Sequence, residues 1–212
     1  MTNLSPTLRA CVIAMLIALV SMPSLADDWD DDRYKGPQTV LNKLLATDGT
    51  QALVAAVLVV DEFGTLPFSL ADLLADPREE VILFAPTNTA FEKLLDLEPG
   101  FLDGLSVQDI AAVLPGIVAG LGLTVGDVQA ILLKHAALPR KANRRTASED
   151  ALLRAGSVEV AAECIFPVSI GNDGVRINYE SIIAKGDNFA RNGVAHFINS
   201  VIVDAHDTCE EN

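Results

Sequence analysis

Two segments decide the fold of this chain: Val81-Ile82-Leu83-Phe84-Ala85-Pro86-Thr87-Asn88-Thr89-Ala90-Phe91 and Asn192-Gly193-Val194-Ala195-His196-Phe197-Ile198-Asn199-Ser200-Val201-Ile202-Val203. Each joins an apolar run, which predicts a strand, to residues that are typical of turns or helix caps. In the first segment Pro86 ends the strand, and we expect Phe91 of the following helix in the core. In the second, Asn192-Gly193 supplies a turn with positive φ ahead of the strand.

Hydroxyl residues placed before apolar stretches predict helices in the first half of the chain. Thr39, Thr50 and Ser69 each precede apolar residues at helical spacing. In the first quoted segment, Asn88 or Thr89 is expected to cap the helix that carries Phe91, and Thr89 with Glu92 three residues later fits a capping box.

Residues 105–114 and 123–132 resemble each other, because each has a hydroxyl residue followed by an aspartate three positions later. The pairs are Ser106 with Asp109 and Thr124 with Asp127. The residues between these stretches, 115–122, are apolar and rich in glycine. We therefore expect two capped helices joined by a flexible apolar linker.

From Leu152 onward the apolar period falls to about two, which predicts strands. A hairpin turn is expected at residues 171–174, Gly-Asn-Asp-Gly. Because helical patterns precede strand patterns along the chain, the predicted class is α+β. The predicted strands after Leu152 cover 158–162, 164–170, 175–178, 181–185 and 194–203.

Together and in this order, the two quoted segments resemble the signature segments of fasciclin-type (FAS1) domains, and the resemblance extends over residues 38–204. It implies a wedge-shaped, sandwich-like sheet core flanked by several α-helices. At the place of the family's Tyr-His pair, this chain has Lys134-His135. The binding residues that the resemblance implies are Thr87, Asn88, Phe91, His135, Asn192, Gly193 and His196.

Residues 1–26 are typical of a secretory signal peptide. Arg9 is their one charged residue, an apolar run follows it, and small residues at Ser24 and Ala26 suit cleavage after Ala26. The apolar run is much shorter than the roughly 20 residues that span a bilayer. We therefore expect a secreted or periplasmic protein that does not span a membrane once it is processed.

The chain is acidic, with a net charge of −14. Without residues 1–26 it has 14 Lys and Arg against 29 Asp and Glu, a net charge of −15. This charge argues against a nucleic-acid partner. Residues 27–37 are predicted to form an acidic, disordered tail and residues 205–212 a C-terminal tail.

One basic cluster interrupts this acidity, and it consists of Arg140, Lys141, Arg144 and Arg145. It is either a solvated loop or a docking point for an anionic partner, such as an acidic glycan.

Cys11 leaves with the signal peptide, so Cys164 and Cys209 remain. Export favours a disulfide between these two cysteines, and the alternative is two free thiols.

Sequence motifs of hydrolases, metalloproteases and redox sites are absent, and the histidines are not spaced for a metal site. We therefore expect no catalytic residue, no cofactor and no metal. His135 and His196 are either buried and hydrogen-bonded or, in the case of His135, part of a contact surface.

Two functions follow from the resemblance, since such domains are mostly non-catalytic modules of secreted and surface proteins. The first is adhesion, with a surface or matrix protein or a glycan as the partner. The second is carriage of a small apolar ligand, carotenoid-like or lipid-like, between helices and sheet. The apolar residues 115–122 favour the carrier, whereas the basic cluster favours the adhesion module.

Overall fold

The structure is a computed structural model, and it describes residues 38–139 and 144–203. The signal peptide (1–26) and the two predicted tails lie outside these residues, so those assignments stay predictions. The elements in chain order are α1 (Val40–Leu45), α2 (Gln51–Phe63), α3 (Leu70–Ala75), β1 (Val81–Pro86), α4 (Asn88–Leu94), α5 (Val107–Gly120), α6 (Val125–Lys134), β2 (Ala136–Ala137), α7 (Arg144–Ala147), α8 (Glu149–Ala155), β3 (Ser157–Glu159), β4 (Ile165–Gly171), β5 (Gly174–Ile177), β6 (Ser181–Ala190) and β7 (Gly193–Ile198).

The strands form one sheet in the order β2-β1-β7-β6-β5-β4-β3. β1 and β7 are parallel neighbours, with Val81 opposite Gly193, so the two quoted segments lie side by side. The other neighbouring strands are antiparallel. The predicted hairpin is confirmed because Gly171 pairs with Gly174. The α+β class is confirmed as well.

β1 and β7 are buried along their whole length, and their side chains alternate between two cores. Leu83 and Phe197 belong to the first core, which α1 to α6 cover. Phe84 and Val194 belong to the second core, together with Phe166 of β4. Phe166 of β4, near the far edge of the sheet, therefore packs against β1 and β7, so the single sheet curves until it is nearly closed into a barrel flanked by helices.

Four of the predicted helix caps are confirmed. The side chains of Thr39, Ser69, Ser106 and Thr124 each accept a hydrogen bond from the backbone N–H three residues later. The side chains of Asp109 and Asp127 in turn accept the backbone N–H of Ser106 and Thr124, which completes both capping boxes. The starts of α5 and α6 therefore use residues within one turn, whereas the first N–H groups of α1 and α3 also bind the distant side chains of Asn192 and Asp61.

Two other predicted caps are wrong, those of Thr50 and Thr89. The Thr50 hydroxyl donates to a carbonyl of α1 instead of capping α2. Asn88 and Thr89 both lie inside α4, whose N-cap residue is Thr87, and Glu92 does not reach back to the start of that helix. The Glu92 carboxylate is buried and accepts the N–H groups of the following loop, Gly100 and Leu102, at 3.0 and 2.9 Å.

The flexible linker predicted over residues 115–122 is also wrong, because α5 continues through Pro115 to Gly120. Ile110, Leu114 and Val118 bury one stripe of this helix in the first core. This packing holds the helix together although the proline lacks an N–H donor. Within the described residues no single helix has the length and hydropathy of a membrane span. α5 and α6 meet these two criteria only when they are taken together, and the pair is bent by 106°.

We expect Gly193→Ala to lower the free energy of unfolding by about 2 to 4 kcal/mol. Gly193 has φ +145°, and a Cβ there would collide with the carbonyl oxygen of Val81 on the neighbouring strand. Urea unfolding of the purified protein measures the effect.

Gly116→Ala is the matched control, because the space around a Cβ at Gly116 is open and the residue lies inside α5. This substitution should stabilise the protein by about 0.5 to 1 kcal/mol, as alanine is the better helix former. Similar effects of the two substitutions would contradict the close approach at Gly193.

Candidate functional site

Asn192 joins three elements inside the protein, two through its side chain and one through its backbone carbonyl. Its Oδ1 accepts the N–H of Val40 at 2.8 Å, and its Nδ2 donates to the carbonyls of Leu74 and Asp76 at 3.1 and 3.0 Å. Its backbone carbonyl accepts the N–H of Val81 at 3.0 Å. These internal bonds connect α1 and the end of α3 to the start of β1.

Asn88 has a comparable role at the start of α2. Its Oδ1 accepts the N–H of Ala52 at 3.0 Å, and its Nδ2 donates to the side chain of Gln51 at 2.9 Å. Its backbone N–H donates to the carbonyl of Gly49 at 2.6 Å. Asn88 therefore supplies, from a distant part of the chain, the cap that Thr50 does not provide.

Three further candidate residues of the two signature segments are buried or half-buried. Phe91 lies in the first core, as predicted. Gly193 is buried against the carbonyl of Val81, and Thr87 is the half-buried N-cap residue of α4.

His135 follows α6 directly and lies in the interior, with only 1% of its surface exposed. Its Nδ1 is 2.7 Å from the carbonyl oxygen of Ile131, and its Nε2 is 2.9 Å from the backbone nitrogen of Ile202. A carbonyl accepts and an N–H donates, so the ring is neutral with its proton on Nδ1. Burial lowers the pKa of His135 to about 4, with the charge of Lys134 acting in the same direction. His135 is therefore a buried residue whose two ring nitrogens are both hydrogen-bonded inside the protein.

His196 lies in β7, fully buried and stacked on Phe84 with 5.9 Å between the ring centroids. Its Nε2 donates to the carbonyl of Ala147 at 2.8 Å. The lone pair therefore lies on Nδ1, which accepts the backbone N–H of Asp187 at 3.3 Å. Burial lowers the pKa of His196. The hydrogen bond to Ala147 and the negative charge of Asp187 act in the raising direction, and burial is the larger effect.

Glu149, Asp187 and His196 bring one possible metal-ligating atom each to within 4.8 Å of one another. Asp187 Oδ1 accepts the N–H of Glu149, the first residue of α8, at 2.9 Å. The Glu149 carboxylate lies against Gly186, where a Cβ would collide with it. Burial, followed by the negative charges of Asp187 and Asp150, raises the pKa of Glu149.

Sequence spacing did not reveal this group, although His196 was already a candidate residue. Glu149 and Asp187 are 38 residues apart, and they meet only because α8 begins beside β6. The prediction that no metal binds uses the spacing of the histidines and the pairing of the cysteines, and it does not include these carboxylates.

Parts of two further predicted sites lie outside the described residues. Arg145 is exposed, but Arg140, Lys141 and the side chain of Arg144 are not described, so the basic cluster stays a prediction. Cys164 is buried and disulfide-bonded. Because Cys209 is not described, the pairing of Cys164 with Cys209 also stays a prediction.

Comparison with known proteins settles the family. The family model for the fasciclin domain matches residues 67–204. This chain belongs to the fasciclin domain family. No curated protein sequence matches this fasciclin domain significantly.

Among solved structures, this fasciclin domain is similar to a FAS1 domain pair from the insect cell adhesion molecule fasciclin I. The sequence identity is 15% and the TM-score is 0.57. The match covers 81% of this chain and 53% of that chain, so this chain spans about half of that structure. The likeness shows the fold alone.

Fasciclin domains are generally non-catalytic binding or adhesion modules. In this fasciclin domain the signature residues are bonded or packed internally, which explains their presence in the motif without reference to a partner. The binding role that the resemblance implied for them stays an untested prediction. A contact surface is therefore to be sought among the exposed residues.

We expect the stability of this fasciclin domain to fall between pH 6.5 and pH 4, in part because of His135. Unfolded, this residue takes up its proton near pH 6.5, whereas folded it does so at about 4. In this window the unfolded state binds more protons. The contribution of neutral His135 to the free energy of unfolding is therefore fully present above pH 6.5 and is lost as the pH falls toward 4. It amounts to about 3 kcal/mol.

Urea unfolding at pH 7.0 and pH 4.5 measures this loss, with His135→Gln as the reference because glutamine does not titrate. The loss of unfolding free energy between the two pH values should be about 2 kcal/mol smaller in the variant. His196 is present in both proteins, so its contribution cancels in the comparison. Equal pH dependence of the two proteins would refute the role of His135.

Proposed function

We propose that this fasciclin domain is a secreted, non-catalytic adhesion module that contacts a surface or matrix protein through the bend between α5 and α6. Residues 110–126, which form this region, are called the apolar corner below. One observation carries the proposal. The apolar corner contains no charged side chain and is partly exposed, in a chain whose net charge is −14.

The apolar corner has both buried and exposed apolar side chains. The first core covers only the buried ones. Ile110, Leu114 and Val118 face the first core. On the other side Val113 is 47% exposed and Leu121 is 50% exposed. The exposed alanine and glycine residues of the corner are Ala112, Gly116, Ala119, Gly120, Gly122 and Gly126.

An exposed apolar patch with polar residues at its margin is typical of protein–protein interaction sites. Asp109 and Asp127 flank the apolar corner in the sequence, and both are exposed. Thr124 has the only polar side chain within the corner, and its hydroxyl donates to Asp127 at 2.7 Å. The corner therefore offers little for hydrogen bonding to a glycan, which favours a protein partner.

The described residues do not favour the carrier alternative. Residues 115–122, which suggested an apolar pocket in the sequence, lie on α5 and the turn after it, where most of them are exposed. We therefore do not propose a carrier. An anionic glycan would require the basic cluster, which stays a prediction.

Export is the second part of the proposal. The single charge, short apolar run and small residues of positions 1–26 support cleavage after Ala26. The disulfide bond of Cys164 is in keeping with an oxidising compartment outside the cytosol.

We expect Leu121→Asp to weaken adhesion by about tenfold or more, because it places a charge in the centre of the proposed contact. Fluorescently labelled protein is applied to intact cells of the source organism and to their isolated surface matrix. The retained fraction is measured as a function of protein concentration.

Ile170→Asp is the matched control. Ile170 is 74% exposed, and the buried side chains of its strand, β4, belong to the second core. This variant should be retained within about twofold of the unsubstituted protein. Equal retention of the Leu121 variant would refute the apolar corner as the contact, and no retention of the unsubstituted protein would refute adhesion itself.

The intact mass of the protein from its native source tests export and the disulfide together. We expect a chain of residues 27–212 that is lighter by two hydrogens than its reduced form. A chain that still contains residues 1–26 would contradict export. A mass that reduction leaves unchanged would contradict the Cys164–Cys209 bond.

A further inference from the structure

We propose that Glu149, Asp187 and His196 form a binding site for a divalent transition-metal cation of the Zn²⁺ type. These three residues are called the carboxylate–histidine site below. The site is separate from the apolar corner, and its argument does not depend on the proposed adhesion function.

The histidine is already held as a metal ligand would need to be. Its Nε2 proton is donated to the carbonyl of Ala147 at 2.8 Å, so Nδ1 presents its lone pair toward Asp187. Metal-binding histidines commonly donate their second ring N–H to a backbone carbonyl or a carboxylate, which fixes the ring and its tautomer. Nδ1 now accepts an N–H at 3.3 Å, beyond the usual range of about 2.7 to 3.2 Å, so little is lost when a cation replaces it.

The two carboxylates are brought close to the His196 ring by specific features of the backbone. The pairing of β6 with β7 shifts register between Lys185 and Asn188, and Asp187 within this bulge has φ +56°. A bulge of this kind turns a side chain away from its regular direction in the sheet. Gly186 has no side chain, and this leaves the space in which the Glu149 carboxylate lies.

The charges of the site lack a cationic partner in the described part of the chain. Within residues 38–139 and 144–203, neither Glu149 nor Asp187 forms an ion pair with lysine or arginine. Asp150 adds a further negative charge that acts on Glu149. A divalent cation between the two carboxylates would replace this repulsion by attraction.

The ligand set indicates the class of cation. One imidazole nitrogen and two carboxylate oxygens suit Zn²⁺ and neighbouring transition metals, with bonds of about 2.0 to 2.2 Å. Such bonds place ligand atoms about 3 to 4.4 Å apart, close to the spacing within 4.8 Å that the three residues already have. Ca²⁺ prefers six to eight oxygen ligands, so we expect it to bind more weakly. A bound cation would join the start of α8 to β6 and β7.

The test is calorimetric titration of the chelator-treated full chain with Zn²⁺ at pH 7.0. We expect one site whose affinity falls by about tenfold or more in Glu149→Gln. The control is Asp150→Asn, which removes the same charge one residue away but no proposed ligand. This control should change the affinity by no more than about twofold to threefold.

The pattern of the two variants also separates this site from other acidic regions, such as residues 27–37. Zn²⁺ bound there would be insensitive to both substitutions. In the expected result, the ¹⁵N resonance of the His196 Nδ1 also shifts when Zn²⁺ is added. Equal affinities of the Glu149 and Asp150 variants, an unchanged His196 resonance, or tighter binding of Ca²⁺ than of Zn²⁺ would overturn the proposal. Urea unfolding of the metal-free variants verifies that both are folded.

Discussion

The parallel contact between β1 and β7 depends on the missing side chain of Gly193. At that residue the backbone of β7 approaches the carbonyl of Val81 so closely that a Cβ has no room. Asn192, directly before it, fixes the same approach by binding α1, the end of α3 and β1 through its amide and its carbonyl. A larger residue at 193 would separate two strands that both cores use as their common wall, and it would move the helices held by Asn192 as well.

The position of this wall makes the two cores interdependent. Leu83 and Phe84 are adjacent in the chain, yet they belong to different cores. The partner strand comes from more than a hundred residues later in the chain, so the wall forms only when distant parts of the chain have met. His135 then attaches the segment after β7, through Ile202, to the end of α6. Neither core can therefore be completed on its own.

The sequence predicted those features whose partners lie within a few residues of each other. The capping boxes of Ser106 and Thr124 and the hairpin of Gly171 with Gly174 belong to this class. Asn88 caps α2 from 36 residues away, and no local pattern indicates such a partner. The sequence places the carboxylate of Glu92 at the start of its own helix, because no sequence motif indicates its actual partners, the N–H groups of Gly100 and Leu102. The carboxylate–histidine site was missed for the same reason, since α8 and the β6 bulge meet only in the folded protein.

The use of the signature residues inside the protein limits what family membership can say about a partner. Asn88, Asn192 and Gly193 make the contacts that create the fold, and this fold is still matched at 15% sequence identity. Interior contacts of this kind maintain the fold, whereas recognition of a partner has to depend on surface residues that the fold does not constrain. The apolar corner lies on helices of the first core, and His196 stacks on Phe84 of the second. His196 and Phe84 face the second core from the wall itself, so exposed side chains of the apolar corner, on helices that cover the opposite face, can change without touching them.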